Sequence, residues 1–383
     1  GNLPVAEVFE VGRGRVISKD EIRDNAGRYP VFSSQSKNNG EMGRLDSYDF
    51  DGEYVTWTTD GAYAGTVFHR SGRFNCTNVC GTLRDKGVYA VDMRFASEYL
   101  STVAKNHVSY VGNPKLMNGI FGEIDLLLPP LAEQKKIASI LTSVDEVIEN
   151  TQKQIDKLQD LKKATMNELL TKGIGHTEFK DSELGRIPKS WEVKKLKDIG
   201  DCIRGLTYSP DDIAETGLLV LRSSNIQHGR IYLGDNVFVN LDVTRKFRTQ
   251  VGDLLICVRN GSRRLLGKSA IIPEGLPPST HGAFMTVFRT PLNEYVQFLL
   301  QSEWFFTQVS RDIGATINSI NNSNLLEYLF AFPTHHEQTQ ITNQLKSIES
   351  LIVGKSNKLS QTQSLKKSLM QDLLTGKVRV TVN

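Results

Sequence analysis

The stretch PPLAEQKKIASILTSVDEVIENTQKQIDKLQDLKKATMNELLT occupies residues 129–171, and a second version of it, PTHHEQTQITNQLKSIESLIVGKSNKLSQTQSLKKSLMQDLLT, occupies residues 333–375. The two align at a constant offset of 204 without a gap, and 15 of 43 positions are identical, among them Glu133/Glu337, Gln134/Gln338 and the pairs Lys162-Lys163/Lys366-Lys367. An internal repeat of this length governs any reading of the fold. Apolar residues of the first copy fall at Ile137, Leu141, Val144, Ile148, Ile155, Leu158 and Leu169; those of the second fall at Ile341, Leu345, Ile348, Ile352, Leu359, Leu369 and Leu373. Spacing that alternates between four and three predicts the seam of a coiled coil. A helix of about 40 residues rises roughly 60 Å at 1.5 Å per residue, so it needs a partner along its apolar stripe. Each copy is the obvious partner of the other.

At 383 residues the chain suits two or three domains, and a hydrophobic content of 39% supports real cores. No run has the length of a membrane span, and no charged-then-apolar leader opens the sequence. Cys76, Cys80, Cys202 and Cys257 are too few and too scattered for a disulfide framework. A reduced, cytoplasmic protein is the expectation, and Gly1 in place of Met reads as an expression remnant with the native start trimmed. Net charge is +3, but its distribution says more: residues 244–268 hold Arg245, Lys246, Arg248, Arg259, Arg263, Arg264 and Lys268 against one acid, Asp253. That is a local basic patch on a nearly neutral segment.

Residues 1–128 are rich in Gly, Ser, Thr, Asn and aromatics, with short apolar runs at 54–57 and 65–68 and turn signals at Asn39-Gly40, Asp51-Gly52, Asp60-Gly61 and Ser71-Gly72. They predict strands, followed by a helix over 94–103. Residues 173–190 read as a linker. Residues 191–332 repeat the first plan faintly: Val5, Val8 and Val11-Gly12 match Val193, Leu196 and Ile199-Gly200, and Asp60-Gly61 is set against Asn260-Gly261. The predicted map is a first domain over 1–128, a helix over 129–172, the linker, a second domain over 191–332, and a second helix with its tail over 333–383. The fold class is α+β: two globular, mixed α/β domains with substantial strand, separated by two long helices. A compact domain keeps its termini close together, so the second helix runs back along the first. The expected pair is an antiparallel coiled coil with approximate two-fold symmetry.

Two diverged globules alternating with two similar helices, each opened by a P-x-x-x-E-Q motif and closed by L-K-K-x-x-M-x-x-L-L-T, resemble the specificity subunit of type I restriction-modification enzymes. The resemblance covers essentially the whole chain. Its strongest markers are Leu128-Pro129-Pro130-Leu131-Ala132-Glu133-Gln134-Lys135-Lys136-Ile137 and Glu183-Leu184-Gly185-Arg186-Ile187-Pro188-Lys189-Ser190-Trp191-Glu192-Val193. The chain departs from the pattern in its abbreviated opening, Asn2-Leu3-Pro4-Val5, and at Thr334-His335-His336, where Pro-Leu-x is usual. The resemblance implies that each globule is a target-recognition domain for half of a bipartite DNA sequence, and that the helix pair is a ruler between the halves. It also implies two methylation subunits that transfer a methyl group from S-adenosylmethionine to adenine, joined by motor-nuclease subunits. The chain itself would hold no cofactor and perform no chemistry.

The residues argue the last point separately. An adenine methyltransferase needs an Asn/Asp-Pro-Pro-Tyr/Phe loop around the flipped base, and Leu128-Pro129-Pro130-Leu131 and Leu276-Pro277-Pro278-Ser279 lack it. No Gly-x-x-x-x-Gly-Lys-Ser/Thr loop for a motor is present. Gly12-Arg13-Gly14 lacks the third glycine of a nucleotide fingerprint, and Cys76-x-x-x-Cys80 with His69 reads as buried thiols rather than zinc ligands.

DNA sequence is read by Arg or Lys on guanine, by Asn or Gln on adenine, and by small hydroxyls on several bases. In the first domain that chemistry falls on Ser34, Gln35, Ser36, Lys37, Asn38 and Asn39, and on Thr58, Thr59, Asp60 and Tyr63. In the second it falls on Arg222, Ser223, Ser224 and Asn225, and on Arg259, Asn260, Ser262, Arg263 and Arg264, with Lys268 and His281 as weaker additions. The alternative for any single one is a solvated loop residue. Asn-rich segments 113–118 and 318–324 suit helix capping and turns ahead of DNA contact. Lys162-Lys163 and Lys366-Lys367 suit a solvated or partner-binding face. A coiled-coil scaffold that separates two domains without nucleic acid is the competing function; an autonomous nuclease or transferase lacks its motifs.

Overall fold

A computed structural model describes residues 2–35, 37–313 and 318–381, and for Lys37 the backbone alone. The chain divides into two compact units, Gly1–Lys153 with Lys355–Asn383, and Gln154–Gly354. Each unit holds one globule and part of both long helices, α1 at Leu131–Lys172 and α2 at His335–Leu373.

In the first unit, strands β1 (Phe9–Arg13), β2 (Ala26–Phe32), β3 (Glu41–Leu45), β4 (Phe50–Thr58), β5 (Val67–Cys76) and β6 (Cys80–Asp85) form one sheet in the order β1-β6-β4-β5-β2-β3. The expected turns at Asp51-Gly52 and Ser71-Gly72 are instead a cross-strand pair. Gly52 faces Gly72 inside the β4–β5 ladder, both at positive φ (118° and 88°), where glycine carries no Cβ penalty. The predicted helix spans Met93–Val103, with Asp92 accepting from the Phe95 amide at its start. The core gathers Val5, Phe9, Val55, Leu83 and Leu100 around Trp57, which stacks on Phe121 at 3.9 Å.

In the second unit, β7 (Asp201–Arg204), β8 (Leu254–Cys257), β9 (Ser269–Ile271) and β10 (Met285–Arg289) pair in the order β7-β10-β8-β9, the same order as β1-β6-β4-β5. The strand Leu218–Leu221 is apolar and buried throughout, as a strand covered on both faces must be. It runs parallel to Ser279–His281, as β2 runs parallel to the end of β5. The segment expected as a linker contains a hairpin, Phe179–Ser182 with Gly185–Pro188, and sends Ile187 into the core that also holds Trp191.

The long helices pack antiparallel inside each unit. In the first, Ile137, Ala138 and Leu141 of α1 meet Leu373 of α2 and the adjoining Leu374 beside Phe95, and Lys366 Nζ lies 2.8 Å from Asp145 Oδ2. In the second, Leu170 of α1 joins Ile341 and Leu345 of α2, and Lys162 Nζ lies 2.7 Å from Glu349 Oε1. The 204-residue offset converts one set into the other: Lys162 into Lys366, Asp145 into Glu349, Leu170 into Leu374. Lys162 and Lys366 are therefore half-buried ion-pair partners within the seam rather than a solvated face. Fully burying a leucine is worth about 1.5–3 kcal/mol, which concentrates seam stability at Leu141, Leu345, Leu170 and Leu374. Ile155 is also buried; Val144, Ile148, Leu158, Leu169, Ile348, Ile352, Leu359 and Leu369 are half-buried.

The opening motif has a physical account. Gln134 Nε2 donates back to Pro129 O at 2.8 Å, and Gln338 Nε2 to Pro333 O at 2.9 Å. Such bonds tie the first turn to the chain before it. Buried Glu133 takes a bidentate pair from Arg379 at 2.6 and 2.7 Å; buried Glu337 takes Trp191 Nε1, the Ile174 amide and His176 Nε2 at 2.8–3.1 Å. Each copy uses its Glu to fasten the segment that follows the other copy. No helix among the described residues is long and apolar enough to cross a membrane.

Candidate nucleic-acid interface

In the first unit, the loops after β1, β2 and β4 are stitched together at one end of the sheet. The Gly14 amide donates to Cys80 O and the Arg15 amide to Cys76 O; Thr77 Oγ1 bonds Ser33 Oγ at 3.2 Å; the Thr59 amide donates to Val79 O. Segment 114–118 completes this end. Trp57 Nε1 donates to Leu116 O at 2.9 Å, the Leu116 amide to Thr59 O, and Asn118 Nδ2 to Gly12 O. Between the loops lies a cleft of about 700 Å³ lined in part by Lys19, Arg23, Ser33, Ser34, Gln35, Asp60 and Tyr63.

Ser34 and Gln35 are half-buried and Tyr63 is exposed, all three on the cleft wall. Asn38 and Asn39 are exposed at the tip, both in the left-handed region that Asn tolerates best after glycine. Ser36 and the Lys37 side chain lie outside the described residues. Beneath the loop, the buried Arg70 guanidinium sits 3.6 Å over Phe32 and 4.4 Å over Phe68 and makes no ion pair among the described residues; burial pushes its pKa down to about 10.

In the second unit, the corresponding end carries the turn 222–225 and the loop after β8. Asn260 Nδ2 donates to Ser223 Oγ at 3.2 Å, Lys268 Nζ reaches Ser223 O at 3.5 Å, and Asn318 Nδ2 holds Gly261 O at 3.2 Å. Arg259, Arg263 and Arg264 are exposed, with the Arg259 guanidinium 5.7 Å from the exposed Phe284 ring. Ser262 is half-buried, as are Ser223 and Ser224. Arg222 is paired to Asp235 at 2.9 Å.

Four candidates are withdrawn from direct contact because their side chains are buried. Thr58 ends strand β4 and Thr59 lies just beyond it; Thr59 accepts from Arg13 and donates to Asp60. Asn225 spends its amide on Arg222 N, Tyr232 O and Asp235 O, closing its own turn. His281 bonds Ile203 O, and burial drives its pKa down to about 4, so it stays neutral. Alternating polar residues gave no warning here, since strand ends and loops carry the same hydroxyls. The Asn-rich segments make no side-chain cap: neither the helix at Asn118–Gly122 nor that at Asn322–Glu327 has one. Their side chains brace loops instead.

The two ends match residue for residue. Asp60 bridges Lys115 and Arg259 bridges Ser319; the Leu116 amide donates to Thr59 O and the Ile320 amide to Val258 O, both at 2.8 Å. Lys115 and Ser319 are 204 apart. Asp60 therefore corresponds to Arg259, one position from the pairing of Asp60-Gly61 with Asn260-Gly261 expected from sequence. Arg13 and Arg204, absent from the candidate residues above, also correspond: each ends the first strand of its sheet and precedes a glycine.

This doubled architecture, two β-rich globules each finished by parts of two repeated helices, is that of a DNA specificity protein of type I restriction-modification systems. The chain belongs to that family: the type I restriction modification DNA specificity domain matches residues 2–160 and 188–361. It is 32% identical over 334 residues to the type I restriction enzyme MjaVIII specificity subunit of Methanocaldococcus jannaschii, covering 84% of this chain and 78% of that protein. A putative type I specificity subunit N-terminus of Mycoplasma pneumoniae is 47% identical over 140 residues, 36% of this chain and 73% of that protein. The crystal structure of a type I restriction-modification S subunit from M. genitalium shares the fold, with a TM-score of 0.63 at 15% identity over 97% of this chain and 95% of that one. Its function is DNA target recognition, and the competing scaffold reading is not favoured.

Proposed function

We propose that each globule reads one half of a bipartite duplex target through the loop end of its sheet. The contacting residues would be Ser34, Gln35, Asn38, Asn39 and Tyr63 in the first domain, and Arg259, Asn260, Arg263, Arg264 and Lys268 in the second. The observation that carries this reading is the correspondence of the two loop ends, each bearing exposed base-reading side chains braced from below. On the same reading, two methylation subunits dock on the helices and globules and motor-nuclease subunits join them. Methyl transfer from S-adenosylmethionine to adenine belongs to the methylation subunits, and the length of the helix pair sets the spacer between half-sites. At a net charge of +3 the isolated chain binds DNA weakly, because counterion release scales with the phosphates neutralised.

The test replaces Arg259, Arg263 and Arg264 together by Ala in the complex with its methylation partner. Mapping methylated adenines across a genome is expected to show a lost or relaxed second half-site, an unchanged first half-site and intact co-purification. An unchanged motif would refute the reading.

A further inference from the structure

The Gly12-Arg13-Gly14 run, too short for a nucleotide fingerprint, recurs in the second domain as Arg204-Gly205. Both glycines are required by contact rather than by φ. A Cβ on Gly14 would lie 2.2 Å from Cys76 O, and one on Gly205 would lie 2.1 Å from Gly282 O. The close approach lets the next residue form a parallel bridge, Arg15 to Thr77 in one domain and Leu206 to Gly282 in the other. Each Arg-Gly step thus places an arginine at the end of the sheet's outer strand, next to the parallel bridge that follows it. Placement on a strand end fixes a side chain better than placement on a loop.

The two arginines differ in how they are held. Arg13 is oriented: Nη2 donates to Thr59 Oγ1 at 3.0 Å and to Asp60 Oδ2 at 3.4 Å, and Thr59 Oγ1 donates onward to Asp60 Oδ2 at 2.6 Å. Its remaining polar contact is the weak one from Nη2 to Met117 Sδ at 3.9 Å, so Nε and Nη1 make no hydrogen bond among the described residues. A guanidinium steered through Nη2 keeps Nε–H and both Nη1 hydrogens open to outside acceptors such as N7 and O6 of guanine. Where the first domain has Asp60, the second has Arg259. Arg204 consequently lacks an acid at that position; it is exposed, makes no hydrogen bond or ion pair among the described residues, and lines a cleft of about 570 Å³ with Asp201, Lys246, Phe247 and Arg289.

We propose that Arg13 and Arg204 are specificity-determining residues, one per half-site, each contacting a guanine edge in the major groove, with Asp60 as the positioning residue for Arg13. This rests on the reading that the loop ends contact DNA. A phosphate contact by the same arginines is the outcome the test must separate, since phosphates position a protein without carrying sequence.

The experiment uses the methyltransferase complex of this chain with its methylation partner. Genome-wide adenine-methylation motifs and methylation rates on single-substitution duplexes are measured for R13A, R13K, R204A, R204K, D60N and the R259A/R263A/R264A triple. R13A and R13K are both expected to lose about 10- to 100-fold discrimination at one base pair of the first half-site only, because lysine keeps the charge but not the fork. R204A and R204K are expected to do the same in the second half-site. D60N is expected to relax the same base pair as R13A, with no further loss in the D60N/R13A double variant and an unchanged melting temperature. Uniformly slower methylation with an unchanged motif and a shallower salt dependence, restored by lysine, would overturn base reading in favour of a phosphate contact. An unchanged motif together with unchanged rates would overturn the proposal altogether. If the Arg259 triple alters the motif while the Arg13 and Arg204 variants do not, this inference fails alone. If none alters it, the underlying reading fails as well.

Discussion

Reversing the charge at position 162 tests what holds the helices in register. Lys162 and Glu349 meet at 2.7 Å with side chains 21% and 27% exposed, and Lys162 Nζ also holds Gln301 Oε1 at 2.9 Å. An exposed pair is worth about 0–1 kcal/mol, whereas breaking a buried pair costs about 3–5 kcal/mol because a charge is stranded. A pair about one-quarter exposed falls between these, so Lys162→Glu, which strands Glu349 against a like charge, is expected to cost about 2 kcal/mol. Glu349→Lys is expected to cost about the same. Combining them restores an attractive pair, although Gln301 must then meet a carboxylate with its amide turned. The expected coupling energy is about 1–2 kcal/mol. The assay is urea unfolding of the full chain for the wild type, both single variants and the double variant, followed by near-UV ellipticity. Coupling below about 0.3 kcal/mol, the usual error of additivity, would refute the role assigned to the pair.

The buried neutral His281 gives a pH prediction. Its folded pKa, about 4, lies below the usual value near 6.5, so the unfolded state binds the extra proton first. The stability it contributes is present above about pH 6.5 and is lost as the pH falls from there toward 4, by up to roughly 3 kcal/mol; urea midpoints at pH 7.5 and 5.0 should differ less in His281→Gln than in the wild type. Gly14→Ala and Gly205→Ala place a methyl group within 2.2 Å of a backbone carbonyl, and each is expected to lower stability by about 1–3 kcal/mol in thermal melts. Four residues inserted after Gln152, matched by four after Leu359, lengthen the helix pair by about 6 Å; methylome mapping should show the spacer longer by one or two base pairs at 3.4 Å each, with both half-sites unchanged.

Much of the helical part was legible because coiled-coil spacing is a local signal carried by Ile137, Leu141, Ile341 and Leu345 whatever surrounds them. Their ends were less so. Leu169 fits the seam as well as Leu170 on paper, and only the globule packed against them makes Leu170 the buried one, while in the second copy Leu373 and Leu374 are both buried. The same limit explains the globules. Gly52 and Gly72 look like turn glycines until the ladder sets them face to face, and Thr58 and Thr59 look like loop hydroxyls until segment 114–118 closes over them. The one-residue error in setting Asn260 against Asp60 arose because Asx-Gly turns are common, whereas the decisive markers, the bridges to Lys115 and Ser319, join residues more than 50 positions apart. Arg13 was visible, but its Gly12-Arg13-Gly14 run was weighed only as a nucleotide fingerprint.

The exchange of helix segments between the two units bears on how such a chain could arise. Lys162 and Asp145 lie on one helix about 25 Å apart at 1.5 Å per residue, so a protein made of one globule and one helix could never join them within itself. It would carry both halves of the ion pair, and both halves of the Leu141–Leu374 packing, as a surface complementary to its own copy. Two such half-length molecules, paired antiparallel along their helices, would supply both halves of these two contacts. The 204-residue repeat is the mark that duplication of such a half-length protein would leave.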